Sequence, residues 1–354
     1  MITVLDRYLG ITVIRGALLA LFVLVALSGF FALLGELGDL QNQYGLTEAL
    51  LFTALTLPRH AYELFPTAVL LGSLLSLGGL AAGHELVVMR ASGLSVGRVA
   101  RAVLGAGLIL VLLAAALGEL LAPPGERYAQ SMRSAAQTGF ISMKSAHGFW
   151  ARDGDSFVNI RRVLPGAHLR DITIYEFDQQ RRLRTVVHAA SAQYRPGGWL
   201  LQDIRQSSIA TSGITTQALG SREWQSLLRP ELLDVLSVDP EDLSAASLLE
   251  YIEYLEQNNL DSARYQLAFW IKIATPLASL VMLLLAVPFV FGPLRSANAG
   301  TRVLVGVMLG LVFYLVNQAL NHVGLVYGLP PLLSALLPVA LFALGGAYAV
   351  RRVS

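Results

Sequence analysis

Three cations occupy positions from which they could meet a phosphate. Arg59 and Arg133 border apolar runs near the expected outer membrane interface. Lys272 lies about two turns inside an apolar stretch, at 3.6 residues per turn. A guanidinium grips a phosphate through two parallel N–H bonds. Each arginine also has a plainer option: to snorkel, or to pair with an acid such as Glu63. An ionisable group inside a span is costly and is a functional suspect for that reason. Lys272 therefore has two readings: an ion pair with Glu119, or a cavity-facing cation that attracts an anionic headgroup.

Other chemistries are poorly served. There is no cysteine, so disulfides, thiolate metal sites and cysteine nucleophiles are excluded. The chain has only two lysines, Lys144 and Lys272, and neither follows a glycine, so no Walker-type loop exists to cradle a nucleotide. If transport is ATP-driven, the ATPase is a separate chain, and no cofactor is expected on this one. Gly93-Leu94-Ser95-Val96-Gly97 matches a nucleophile elbow, but an elbow needs a strand before it and a helix after it. Here it falls in a short loop between spans and reads as a glycine turn. His84-Glu85 lacks the second histidine of a metalloprotease helix, and the six histidines are scattered, so no metal site is expected. A non-catalytic chain is the expectation.

The elements that position these residues are set by hydrophobicity. Of 354 residues, 55% are hydrophobic and 14% charged, against about 25% charged in an ordinary soluble domain. Mean hydropathy is +0.58. That disfavours a disordered chain, a nucleic-acid binder and a cytosolic enzyme. A helix crosses the bilayer in about 20 apolar residues. Uncharged runs at 16–35, 64–83, 102–118 and 273–294 supply four spans. No formal charge lies between Arg302 and Arg351, which suits two more spans joined by a turn around Asn321, Gly324, Gly328, Pro330 and Pro331. The first run is too long for a signal-peptide core and is expected to act as an uncleaved anchor. Residues 46–57 read either as an outer-surface helix or as the outer part of a kinked second span. Small residues four apart, Gly72 with Ser76, Gly79 with Gly83 and Gly306 with Gly310, suit close helix packing.

Short loops set the orientation. Arg7, Arg90, Arg98, Arg101, Arg295, Arg302, Arg351 and Arg352 fall on one side, and the opposing short loops carry no Lys or Arg. Both termini are therefore expected in the cytoplasm. Residues 123–264 hold most of the charge and fall on the outer side. Within them, 148–228 reads as short strands divided by turn residues, suggesting an antiparallel sandwich or jelly-roll-like domain. Gly220 is taken as a turn between two of these strands. Ser247 to Glu250 resembles a capping box that opens a helix to about Gln257, and Asp261 is expected to cap span four. The layout is 1–122 for spans one to three, 123–264 for the β domain, and 265–354 for spans four to six.

Between spans two and three, Glu85-Leu86-Val87-Val88-Met89-Arg90 suits a short helix ended by Gly93. It either docks a soluble partner through Glu85 and Arg90 or rests on lipid.

Several stretches carry a resemblance: Leu5-Asp6-Arg7-Tyr8, Glu85-Leu86-Val87-Val88-Met89-Arg90-Ala91-Ser92-Gly93, Gly118-Glu119 with Ala122-Pro123, Arg264-Tyr265-Gln266-Leu267, Phe291-Gly292-Pro293-Leu294-Arg295-Ser296 and Val326-Tyr327-Gly328-Leu329-Pro330-Pro331. They resemble the LptF/LptG permeases of lipopolysaccharide export in the inner membrane of Gram-negative bacteria, over essentially the whole chain. The resemblance implies a heterodimer with LptF, an LptB ATPase dimer beneath it, and LptC joined through its own membrane helix. Lipopolysaccharide is then drawn from the outer leaflet and passed up a periplasmic jelly-roll bridge. Residues 84–93 become the coupling helix, with Glu85, Leu86, Val87, Met89, Arg90, Ala91 and Gly93 meeting the ATPase, and Arg59, Arg133 and Lys272 facing the lipid. Ala32, Gly38 and Asp39 stand where some relatives carry lysines, so span one supplies no such charge. The sister LptF role and a different lipid- or lipoprotein-exporting permease share the same layout. An ion-driven transporter would favour carboxylates near the midplane, and the spans hold none.

Overall fold

The computed structural model describes residues 4–38, 44–138, 149–154, 156–164, 168–178, 180–195, 198–210, 213–224, 239–292 and 297–353. Asp39, Leu228 and Arg295 lie outside them. The chain divides into two compact units, one of residues 1–36, 53–125 and 263–354, the other of residues 37–52 and 126–262.

The first unit is helical. Helix α1 runs Val4–Gly38 and α2 runs Leu46–Ala82; α3 is the short Glu85–Ala91, and α4 is Val96–Ala116. A π turn, Leu117–Leu121, leads into α5, Ala122–Thr138, of which residues 126–138 belong to the second unit. After the β domain come α7 (Ala263–Phe291), α8 (Ala299–Val326) and α9 (Pro331–Val353). Among the described residues six helical segments are long and apolar enough to cross a membrane, as the uncharged runs require. Residues 46–57 belong to the continuous α2, which carries Pro58 and Pro66 in its interior. Such breaks are tolerated where neighbouring helices cover the freed backbone groups. The last two spans meet at Tyr327, Gly328 and Leu329, with Gly328 at φ 65.

Glycines set the helix crossings. A Cβ on Gly16 of α1 would lie 2.6 Å from the Gly72 carbonyl of α2 and 2.8 Å from the Ser76 Cβ. On α8, Gly306 presses on Leu71 and Gly310 on Thr67. Gly107 of α4 admits Leu280 and Leu283 of α7. Two of the three small-residue pairs are thus helix contacts, whereas Gly79 has open space beside it. Close approach matters here because lipid supplies no hydrophobic force between helices. In α2, 72% of the most apolar window is buried, against 17% in α1 and in α8, so α2 is the axis on which both lean.

In the second unit, strands β1 (Phe149–Asp153), β2 (Ser156–Leu164), β3 (His168–Phe177), β4 (Leu183–Arg195), β5 (Gly198–Ala210) and β6 (Gly213–Trp224) form one antiparallel sheet in sequence order. Gly220 is not a turn: it lies inside β6, which covers the expected strand before it and runs on into the next as far as Trp224. The reason lies in a row that crosses the sheet. Pairing skips from Ile160↔Ile172 to Arg162↔Arg170, from Ile172↔Ala189 to Arg170↔Ser191, from Ala189↔Ile204 to Ser191↔Gln202, and from Ile204↔Leu219 to Gln202↔Ser221. The skipped residues are Arg161, Asp171, Ala190, Asp203 and Gly220. Asp171 (φ 55) and Asp203 (φ 52) are left-handed there, a conformation aspartate tolerates better than most residues.

Burial changes phase at this row. Ile172 and Ile174 are buried on one side of it and Leu169 on the other; along β4 Val187 and Ala189 are buried before the row and Ala192 after it, and along β5 Leu201 before it and Ile204 after it. A three-residue step replaces the two-residue step, so the same face stays apolar across the bend. Strands that bend in this way pass from one layer of a sandwich into the next. Trp199 is fully buried in this unit.

Helix α6, Ala245–Gln257, opens at Ser244, whose hydroxyl accepts from the Ser247 amide at 3.1 Å. The expected cap, Ser247, is instead the third helical residue. The Tyr254 hydroxyl donates to the Arg152 carbonyl at 2.8 Å, and the Gly154 amide donates to Asn258 Oδ1 at 3.2 Å. These bonds tie α6 to the β1–β2 hairpin. Helix α7 starts at Ala263, which puts Ser262 rather than Asp261 in the flanking position.

Candidate functional site

Helix α3 has only seven residues, and its ends are fixed by backbone geometry. His84 is left-handed (φ 62), and its carbonyl accepts from the amides of Val87 and Val88 at 3.1 and 3.0 Å. At the far end Gly93 takes φ 92. Its amide donates to the Arg90 carbonyl at 2.9 Å, and the Leu94 amide donates to Met89 at 3.2 Å. This is a Schellman closure, which favours glycine at that position. Ser95 then caps α4 by accepting from the Arg98 amide at 3.3 Å. The Gly-Leu-Ser-Val-Gly run is therefore a helix stop followed by a helix start, with no strand before the serine.

The closure gives α3 two faces. Leu86 is buried, and Met89 packs on the same core. These two residues, both expected to meet the ATPase, pack here against their own chain. Outward stand Glu85, Arg90, Ala91 and Val88, the last 64% exposed and not singled out by the sequence. The Arg90 guanidinium lies 5.8 Å from the Phe291 ring centroid, at the end of α7. Val87, Arg90 and Phe291 help line a cavity of about 380 Å³ between the two elements. Glu85 Oε2 accepts a hydrogen bond from the Tyr8 hydroxyl at 2.8 Å, which binds α1 to α3. Tyr8 belongs to the Leu5-Asp6-Arg7-Tyr8 stretch, but its partner lies 77 residues away and no local spacing reveals it.

A second polar cluster surrounds Lys272. Its Nζ donates to the Gly118 carbonyl at 2.9 Å and lies 5.7 Å from the Tyr62 ring centroid. The Tyr62 hydroxyl in turn donates to the Lys272 carbonyl at 3.2 Å. Gly118 sits in the π turn, where the wider helical register disturbs the i→i−4 ladder. A Cβ there would overlap the Tyr62 ring, so only glycine permits the contact. The lysine thus ties α2, the π turn and α7 together, through the glycine that precedes Glu119.

Arg59 Nε pairs with Glu63 Oε1 at 2.9 Å, one turn along α2. Arg133, in the other unit, lies over the Phe52 ring at 5.1 Å. Both keep partial exposure. Among the described residues no grouping of three histidine, aspartate or glutamate side chains could hold a metal ion.

Comparison with known proteins agrees with this architecture. The family described as "Lipopolysaccharide export system permease LptF/LptG" matches residues 7–352. The chain is 41% identical to the lipopolysaccharide export system permease protein LptG of Escherichia coli K12 over 355 residues, covering 99% of each. It is 38% identical to the protein of that name from Haemophilus influenzae over 345 residues, covering 97% of this chain and 96% of that one.

Proposed function

Since the chain belongs to the LptF/LptG family of lipopolysaccharide export permeases, we propose that it serves as the LptG-type subunit of an ATP-driven lipopolysaccharide extractor. On this reading it pairs with LptF, rests on an LptB dimer that hydrolyses the ATP, and is joined by LptC. The arginine-rich ends of the spans face the cytoplasm, and the β domain stands in the periplasm to receive the lipid.

The observation that carries the proposal is the two-faced α3. Its Leu86–Met89 side is locked into the helical core, while Glu85, Val88, Arg90 and Ala91 are offered to a soluble partner. It also lies at the arginine-rich ends of the spans. A helix so anchored transmits a push from below to α1 through Tyr8, and to the core through Leu86. Extraction needs such work, because burial of acyl chain stabilises the membrane-bound lipid by about 0.8 kcal/mol per methylene.

Arg59 and Arg133 remain the proposed contacts for the anionic lipid, since both side chains keep partial exposure. Lys272 is proposed to support the site from behind, because its ammonium already serves Gly118 and Tyr62.

The test is copurification. With Glu85→Lys and Val88→Asp, LptB should fall away from an otherwise assembled LptF-containing complex, and lipid-stimulated ATP hydrolysis should fall with it. Wild-type association in both variants would refute the docking surface. Photocrosslinkers at positions 59 and 133 should capture lipopolysaccharide; silence at both in a folded complex would remove them from the site.

A further inference from the structure

A cavity of about 590 Å³ opens between the first turns of α1 and α4, and nothing in the transport reading uses it. Its lining is divided by chemistry. Arg7, Arg98 and Arg101 gather at one end with a single acid, Asp6. Ile11, Ile14 and Ile109 form the other end. The division follows the helix axes, so the cationic end lies at the membrane face and the apolar end points into the span.

Small residues create the space. Gly10 meets α4 so closely that a Cβ on it would lie 3.0 Å from the Ala106 Cβ, which marks the floor. One residue earlier, Gly105 has no atom within 4 Å of where its Cβ would be. All three arginines are exposed, and none of their guanidinium groups has a hydrogen bond or ion pair among the described residues. Bilayer-facing basic residues commonly snorkel singly; here three converge over one recess that continues downward as an apolar groove.

We infer that this groove binds an anionic glycerophospholipid of the leaflet at the arginine-rich face, its phosphate held by Arg7, Arg98 and Arg101 and an acyl chain laid along Ile11, Ile14 and Ile109. Basic pockets between spans on the cytoplasmic side are suited to acidic headgroups of this kind. The leaflet assignment rests on the orientation proposed above, whereas the lipid chemistry does not. A partner's membrane helix fits less well. At about 10 Å across, it would fill the cavity with little more than one turn. Its cytoplasmic end would also tend to carry basic residues of its own, facing three arginines.

The experiment is native mass spectrometry of the detergent-solubilised permease complex, exchanged with phosphatidylglycerol or phosphatidylethanolamine. Wild type should retain phosphatidylglycerol at least tenfold better. The Arg98→Ala/Arg101→Ala variant should lose that preference, and Gly105→Leu, which fills the groove and keeps every charge, should lose the retained lipid. Glycerol phosphate without acyl chains should not compete. Equal retention of both lipids by wild type, or unaltered retention in both variants, would overturn the proposal. So would competition by glycerol phosphate, which would mean a simple phosphate site. A crosslink from position 105 to a partner's membrane helix would replace the lipid with a helix. None of these readouts depends on which side of the membrane the groove faces, so a failure here is distinct from a failure of the orientation, which accessibility labelling near residue 175 reports.

Discussion

The Tyr8 hydroxyl donates a 2.8 Å hydrogen bond to Glu85 Oε2, joining the start of the first span to the first residue of α3. A partner that docks on Glu85 must therefore share or displace this bond. The first span then registers occupancy of α3 directly. Tyr8→Phe removes the bond and leaves the Glu85 carboxylate fully available. We expect LptB association to be retained or strengthened in Tyr8→Phe, and coupling of ATP hydrolysis to lipid release to weaken, by a fewfold. Glu85→Gln should keep the bond to Tyr8 while losing charge toward the partner. The pair of variants, assayed for copurification and for ATP consumed per lipid released, separates the two roles. Loss of association in Tyr8→Phe would contradict this assignment.

The Lys272 cluster yields a prediction on stability rather than on transport contacts. A hydrogen bond from a charged donor contributes about 1.5–3 kcal/mol. Lys272→Met leaves the Gly118 carbonyl without its ammonium, so the melting temperature of the purified complex should fall by several degrees. Gly118→Ala should do the same by pushing a methyl into the Tyr62 ring. A photocrosslinker at 272 should stay silent toward lipopolysaccharide. Strong lipid capture there, with unchanged melting of Lys272→Met, would return Lys272 to the substrate surface.

Most of the helical framework was legible because a membrane makes charge informative: the runs at 16–35 and 102–118 lie within observed spans, and that at 64–83 overruns its span by one residue. The ends of α3 were legible in part, through Gly93. Its faces were not, because Leu86, Val87, Val88 and Met89 are all apolar, and only tertiary packing decides which pair turns inward. The π turn at 117–121 has no composition of its own. The crease in the sheet was hidden for another reason. Asp171, Asp203 and Gly220 look like turn residues, yet each is held inside a strand by neighbours paired on both sides. Sequence spacing shows the three-residue step between buried positions only once the row across the sheet is known.

That crease predicts an unusual tolerance. Left-handed aspartate costs conformational energy that glycine does not. Asp203→Gly, with a mostly solvent-exposed side chain, should therefore leave the β domain as stable or more so, whereas Asp203→Val should destabilise it by about 1–2 kcal/mol. Hydrogen exchange over residues 198–210 in the intact protein reports the difference. Equal protection in the two variants would mean that the left-handed conformation at 203 is dispensable.

Tyr254 supplies a pH dependence in the β domain. Burial first, and the Asp153 carboxylate second, push its hydroxyl up to about 12 from the ordinary 10. The folded state therefore holds this proton more tightly than the unfolded chain does. The resulting stabilisation is complete below pH 10 and is lost as pH rises from 10 toward 12. Tyr254→Phe should lose about 1 kcal/mol at neutral pH, since the Arg152 carbonyl forfeits its donor. Its stability should then fall less steeply than wild type across pH 10–12. Following exchange of the β1–β2 amides against pH gives the comparison. Parallel curves for the two proteins would separate α6 docking from Tyr254 ionisation.

Arg302 carries the last prediction. It is 4% exposed at the start of α8, and among the described residues its Nε and Nη2 have no hydrogen-bond partner. Gly78 of α2 makes room for it: a Cβ there would stand 2.5 Å from Arg302 Nε. The positive end of the α8 dipole is close by and adds to the cost of the charge. Each buried unsatisfied donor costs about 1–3 kcal/mol. An apolar chain of similar length removes that cost and keeps the packing. Arg302→Met should therefore raise the melting temperature of the complex, while Gly78→Val should lower it by forcing α2 and α8 apart. The Gly78→Val/Arg302→Ala pair should recover much of the loss, because the shortened side chain vacates the volume the valine needs. A melting temperature that drops in Arg302→Met would show that the guanidinium meets an anion in the assembled transporter, and the double variant would then fail to recover.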